Sequence, residues 1–176
     1  MTFDFRADPI LGDALAYWRK KRGARSMPRR RDIDPVDIPT LLPNLQLIET
    51  VSGGRFRYRL IGTALVEAFG GDYTGQYPDV LFDGPRARIT EVYSAVRDAT
   101  QPLFLRSRYL TTKNVDLIAN RLYMPLSEDD SQVNMILGIL TFDFGTITAV
   151  AGAWGSARLA PEGGQAEMVD ADSAAP

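Results

Sequence analysis

Residues 133–144 read Val-Asn-Met-Ile-Leu-Gly-Ile-Leu-Thr-Phe-Asp-Phe. Side chains of a strand alternate between its two faces, so Ile136, Leu140 and Phe142 share one face and Met135, Leu137 and Ile139 the other. A strand that is apolar on both sides needs cover on both sides, which places it in the middle of its sheet. The chain must therefore supply, or borrow, two layers to flank this strand. Short helices are expected on one face. On the other, the amphipathic helix expected at 8–22 is the natural cover, from its own chain or across a dimer.

The remaining segments supply the sheet. Residues 55–60, Arg-Phe-Arg-Tyr-Arg-Leu, alternate with period two, so one face is cationic and the other apolar. Gly62-Thr63 ends that strand and Ala64–Phe69 opens a short helix that stops at Gly70-Gly71. Leu45–Val51 is a strand joined to the arginine strand by Ser52-Gly53-Gly54. A second amphipathic helix starts near Asp83-Gly84-Pro85, aligns Ile89, Val92, Tyr93, Val96 and Ala99, and ends at Gln101-Pro102. Leu103–Leu110 and Val115–Leu126 are further strands. With 133–144 in the centre, the antiparallel order becomes 2-1-5-4-3. At the N-terminus, Asp8 suits an N-cap, Pro9 the first helical position, and Leu11, Ala14, Leu15 and Trp18 one face. Asp34-Pro35 is expected to start a one- or two-turn helix reaching Leu41-Leu42. The expected organisation is an N-terminal helix and basic connector (1–34), a globular α+β domain (35–147) and a tail (148–176) whose Gly/Ala/Ser/Pro and acidic composition reads as disordered.

Composition narrows the chemistry. The chain has neither cysteine nor histidine. Disulfides, thiolate nucleophiles, haem ligation through His or Cys, a Cys-linked flavin and imidazole acid–base catalysis are therefore all excluded. Carboxylates such as Asp72, Glu91 and Asp116 show no paired spacing on one element, so no enzyme activity is expected. No Lys-Ser/Thr follows the Gly-Gly pairs to make a phosphate loop, and no ligand spacing suggests a metal site. Neither a membrane-spanning run nor a signal peptide is seen, so a cytoplasmic protein is expected. The net charge of −2 is uneven: residues 1–31 carry +6 and the rest −8. Such asymmetry fits a nucleic acid, an anionic lipid or an acidic protein partner, or simply a solvated helix end where cations complement the dipole. A pI near 5.2 argues against a dedicated nucleic-acid protein.

Several ordered motifs go further. Tyr17-Trp18, Arg22-Gly23, Pro28, Arg31-Asp32-Ile33-Asp34-Pro35 and Leu41-Leu42-Pro43 are followed by Phe56–Thr63, Phe69–Gly75 and Tyr123-Met124-Pro125-Leu126-Ser127. Together, over roughly residues 10–145, this set resembles a bacterial, alphaproteobacterial-type family of stand-alone PAS domains. The resemblance implies a five-stranded antiparallel PAS sheet with short helices on one face. It also implies a non-enzymatic sensory or protein-interaction module in bacterial signalling. A small molecule, a signalling protein or a second copy in a homodimer is the expected partner. The resemblance specifies no ligand or cofactor.

On this reading the candidate pocket residues are Tyr58, Leu60, Phe69, Tyr73, Tyr93, Tyr109, Asn120, Leu122 and Met124. Tyrosine hydroxyls would orient a ligand in an apolar pocket, or the rings would simply fill a core. Asn120 needs partners if it faces inward. Leu11, Leu15 and Trp18 are candidates for a helix–helix dimer seam or for packing on the sheet. Arg22, Arg25, Arg29 and Arg31 are candidates for an anion or acidic partner, and the basic segment 19–31 supports an alternative reading as a nucleotide or nucleic-acid binder. For Arg29–Arg31, local bonds with Asp32 and Asp34 that fix the connector are favoured. Arg55, Arg57 and Arg59 are open to two readings, a site for phosphate or an acidic partner and an exposed strand face with acids beside it, of which the second is favoured.

Overall fold

The computed structural model describes residues 4–82, 88–110, 116–143 and 165–172. An antiparallel sheet lies between two layers. Strands β1 (Leu45–Thr50), β2 (Phe56–Ile61), β3 (Leu103–Leu110), β4 (Asp116–Leu126) and β5 (Met135–Asp143) take the expected order, β2-β1-β5-β4-β3. β5 pairs with β1 on one side and β4 on the other. Its aliphatic side chains are buried on both faces, as a central strand requires.

Helix α1 (Pro9–Arg22) is shaped by its ends. Asp8 Oδ1 accepts from the N–H groups of Ile10 and Leu11, satisfying two of the free donors at the helix start. Gly23, at φ 56°, closes the other end where a side chain would be strained. α1 lies on the β4–β5 face of its own sheet. Leu11, Leu15 and Trp18 are therefore buried within the chain, and Trp18 Nε1 donates to the carbonyl of Pro125 at 2.9 Å. As candidates for a dimer seam these three are corrected, because the apolar stripe of α1 is already covered by the sheet.

The opposite face carries α4 (Ile89–Ala99), which buries Val92, Tyr93 and Val96. Shorter helices α2 (Thr63–Phe69) and α3 (Pro78–Leu81) follow β2. α3 was not expected from the sequence: four residues are too few for an amphipathic period to register. The start expected for α4 at 83–85 lies outside the described residues. Between Asp34 and Leu45 the chain forms 3-10 turns at Pro35–Asp37 and Leu42–Asn44 in place of one continuous helix. Gly62 follows β2 so closely against the Leu42–Pro43 backbone that a Cβ would sit 2.2 Å from the Leu42 carbonyl oxygen. Only glycine fits that crossing.

One expectation is overturned in the tail. Residues 165–168 form a sixth strand, β6 (Gln165–Met168), antiparallel to β3. The order is β2-β1-β5-β4-β3-β6. Composition missed this strand because its backbone pairs with an edge that only the folded sheet creates.

Candidate functional site

Register decides which side chains meet α4. Tyr123 pairs with Gly138, and Gln46 pairs with Gly138 from the other side. Gln46 and Tyr123 thus flank a strand position with no side chain. A Cβ on Gly138 would meet Gln46 Cγ at 2.8 Å and Tyr123 Cδ1 at 3.0 Å. The absent methyl lets both side chains lie over β5 toward α4.

Around them a buried aromatic and polar group assembles. Tyr93 of α4 makes edge contacts with Phe56, Tyr58 and Tyr123, at 5.4, 6.5 and 5.3 Å between ring centroids. The hydroxyls of Tyr58 and Tyr93 are 3.2 Å apart, and the Tyr123 ring stands edge-on to Tyr93. Gln46 Nε2 donates to the Tyr123 hydroxyl at 3.3 Å. Gln46 is 1 % exposed, yet its Oε1 has no hydrogen-bond partner. Turning the amide over would let Tyr123 donate to Oε1 and would leave the NH2 group unpaired instead. Either way one end of a buried amide goes unanswered. Burial, followed by the neighbouring phenols of Tyr123 and Tyr58, pushes the Tyr93 hydroxyl well above its ordinary pKa. Burial also raises that of Tyr123. Both shifts hold the Tyr93 and Tyr123 hydroxyls in their protonated, uncharged form at neutral pH.

The expected pocket residues do not all converge here. Tyr58 and Tyr93 do. Phe69 and Tyr73 form a separate stack at 6.4 Å, with Phe82 edge-on to Tyr73 at 5.9 Å. Leu60 is 41 % exposed, which corrects its place in the pocket. The cause is a bulge: Leu47 pairs with Leu60 and Ile48 with Tyr58, so Arg59 is the extra residue and the alternation slips by one. Asn120, Leu122 and Met124 are buried on the α1 face, opposite the tyrosines, because the phase of β4 sends Tyr123 toward α4. They too are corrected as members of this pocket. The side chain of Tyr109 lies outside the described residues.

Asn120 instead joins a chain of polar contacts. Arg106 Nη1 donates to Asn120 Oδ1 and, at 2.7 Å, to Asp143. Asn120 Nδ2 donates to Thr141 Oγ1 at 3.4 Å, and Thr141 donates to Asp8 Oδ2 at 3.0 Å. The chain ends at the N-cap of α1.

The basic candidates do not form one anion site. Arg25 donates to the carbonyls of Met27 and Ser127, at 3.0 and 2.8 Å, tying the connector to the β4–β5 turn. The backbone N–H of Arg29 donates to Asp32 Oδ2 at 2.8 Å, a local bond of the kind expected. Arg31 is exposed. Arg22 donates to Asp172 Oδ1 and to the Ala171 carbonyl. Among the strand arginines, Arg55 pairs with Asp79 and Arg57 with Glu49, as acid-paired surface cations.

Sequence reasoning missed Gln46 and Gly138, and did not place Tyr123 in the site. A polar residue inside Leu-Gln-Leu-Ile and a glycine inside a hydrophobic strand were the available signals.

The arrangement is an antiparallel sheet with α4 and short helices on one face, α1 on the other and β5 at its centre. The PAS domain family model matches residues 7–141, and the chain belongs to that family. Among curated proteins none matches the sequence. Solved structures of similar shape include a light-oxygen-voltage domain studied with a flavin analogue, at 11 % identity over 61 % of this chain and 82 % of that one, TM-score 0.48. The Rhodobacter sphaeroides LOV protein is 12 % identical over 65 % of this chain and 70 % of its own, TM-score 0.49. VqmA bound to DPO is 11 % identical, with 63 % and 57 % covered and a TM-score of 0.47, so this chain spans little more than half of that one. The family match carries the assignment. No helix among the described residues is long and apolar enough to cross a membrane.

Proposed function

We infer that this PAS domain is a non-enzymatic sensor whose input is a small, uncharged, flat organic molecule taken up between α4 and the sheet. The observation that carries this reading is the buried, half-answered amide of Gln46 beside three linked tyrosines. A buried polar atom with no partner costs about 1–3 kcal/mol, so its persistence in a core is better explained by a partner that arrives with the ligand. The hydroxyl row Tyr58–Tyr93–Tyr123 would set ligand orientation, and the ring faces would supply contact area. A neutral network suits a neutral ligand, since a bare charge there would be poorly solvated. Binding would shift α4 against the sheet, and a signalling protein or a second copy would read the change in a bacterial cytoplasm.

The test is native mass spectrometry of the full chain purified from its own host, followed by denaturing mass measurement. A retained mass that disappears on denaturation, and is lost in the Gln46→Leu variant, supports the reading. A mass equal to the bare chain in the native spectrum, for protein freshly taken from the host, overturns it.

A further inference from the structure

The charge asymmetry of the chain finds its use at the sheet edge. β6 pairs with β3 over Leu103–Arg106, and Val169 N–H donates to the Pro102 carbonyl at 2.8 Å. Beyond the strand, the acidic end of this segment turns onto the basic end of α1. Arg19 Nη2 donates to the Asp170 carbonyl at 2.8 Å, and Arg22 holds both the Ala171 carbonyl and the Asp172 carboxylate. Arg6 reaches Glu167 at 3.2 Å. An extended peptide is thus recognised by three kinds of contact: an open strand edge, a seat for one apolar residue, and cations that hold a carboxylate on each side of it, Glu167 before and Asp172 after.

The receptor side is built without the strap. Arg22 also donates from Nη1 to the Arg25 carbonyl and lies 6.0 Å over the Trp18 ring, which is itself bonded to Pro125. The strap side is lightly held. Val169 is 0 % exposed, but Met168 is 41 % exposed and the Asp172 side chain 79 %. Exposed ion pairs of this kind add little net stability and weaken with salt, and segments with few buried contacts open first. The segment also lies beyond residues 7–141, the part that matches the family.

The geometry points to an exchangeable strap: residues 165–172 occupy in cis a docking site for an extended acidic segment of a partner protein, in which carboxylates flank a buried apolar residue. Such a partner would add its strand to β3 in place of β6, the β-augmentation mode of peptide recognition. Glu167, Val169, Asp170 and Asp172 display the chemistry it must present.

The probe is a fluorescent peptide of residues 163–174, read by anisotropy against the full chain and against full-length Val169→Lys, whose own strap is disabled. The peptide should bind the Val169→Lys chain at least tenfold more tightly than the wild type. Binding should fall with salt, and adding Arg22→Glu should abolish it. Equal binding to both chains, or binding indifferent to Arg22→Glu, overturns the proposal. If the Val169→Lys chain forms a strand-linked dimer, the edge serves a second copy and the partner-protein assignment fails. Hydrogen exchange on the wild-type chain gives an independent reading. The amides of 165–169 should exchange at least tenfold faster than those of β5, and equal protection would make β6 a permanent part of the core.

Discussion

The two faces of the sheet treat their polar groups differently. On the α1 face, Asp8, Thr141, Asn120, Arg106 and Asp143 answer one another in sequence, and Trp18 Nε1 finds a carbonyl. On the α4 face, three tyrosines and Gln46 are linked but one end of the Gln46 amide is left over. A fully satisfied buried network specifies a single arrangement; a partly satisfied one carries a standing cost that a ligand can remove. The first face ties α1 to the sheet, and the second is the one that, on the function proposed above, would receive a ligand.

Breaking the α1 face should have the largest effect. Trp18→Ala removes a fully buried ring and its hydrogen bond, and should lower unfolding stability by about 3–5 kcal/mol in urea titrations. A loss under 1 kcal/mol would mean that α1 is not part of the cooperative core. Asn120→Ala interrupts the link between Arg106 and Thr141 and should cost about 1–3 kcal/mol by the same measurement.

The α4 face should respond in the opposite sense. In ligand-free protein, Gln46→Leu is expected to leave stability unchanged or raise it by about 1 kcal/mol, because it removes the unpaired amide end. A loss as large as that of Asn120→Ala would erase the difference between the faces.

Alkaline titration sharpens the same comparison. The folded-state pKa values of Tyr93 and Tyr123 are raised, so the unfolded chain ionises first. Their contribution is intact below the ordinary tyrosine pKa near 10 and is lost as pH climbs from there toward the raised folded values. The thermal midpoint should fall across that range, and less steeply in Tyr93→Phe. The smallest effect is expected at Leu60, where the bulge has turned the side chain outward: Leu60→Ser should change stability by no more than about 0.5 kcal/mol.

Much of the fold was legible because its signals are local. Asp8-Pro9 and Gly23 mark the ends of α1, period-two patterning marked β2, and two-sided apolarity marked β5 as the central strand. The site was less legible. Tyr58 and Tyr93 meet as the expected cluster required, whereas Asn120, Leu122 and Met124 lie on the opposite face. A one-residue difference in phase sends Tyr123 to α4 and Asn120 to α1, and alternation alone does not say which phase faces which layer. Leu60 failed for a related reason, since a bulge is a property of two paired strands.

What the amino-acid order determined by itself was the periodicity of each segment, the ends of its helices and the two-sided burial of β5, because these depend on neighbours within a few residues. It also closed off cysteine and histidine chemistry through composition alone. Only the tertiary structure decided which face of the sheet receives α1, which tyrosines meet, why Gly138 lacks a side chain and where the acidic end of the chain is held. Each of those depends on residues distant in sequence being brought into register, and pairing across a sheet sets the phase of every side chain along it.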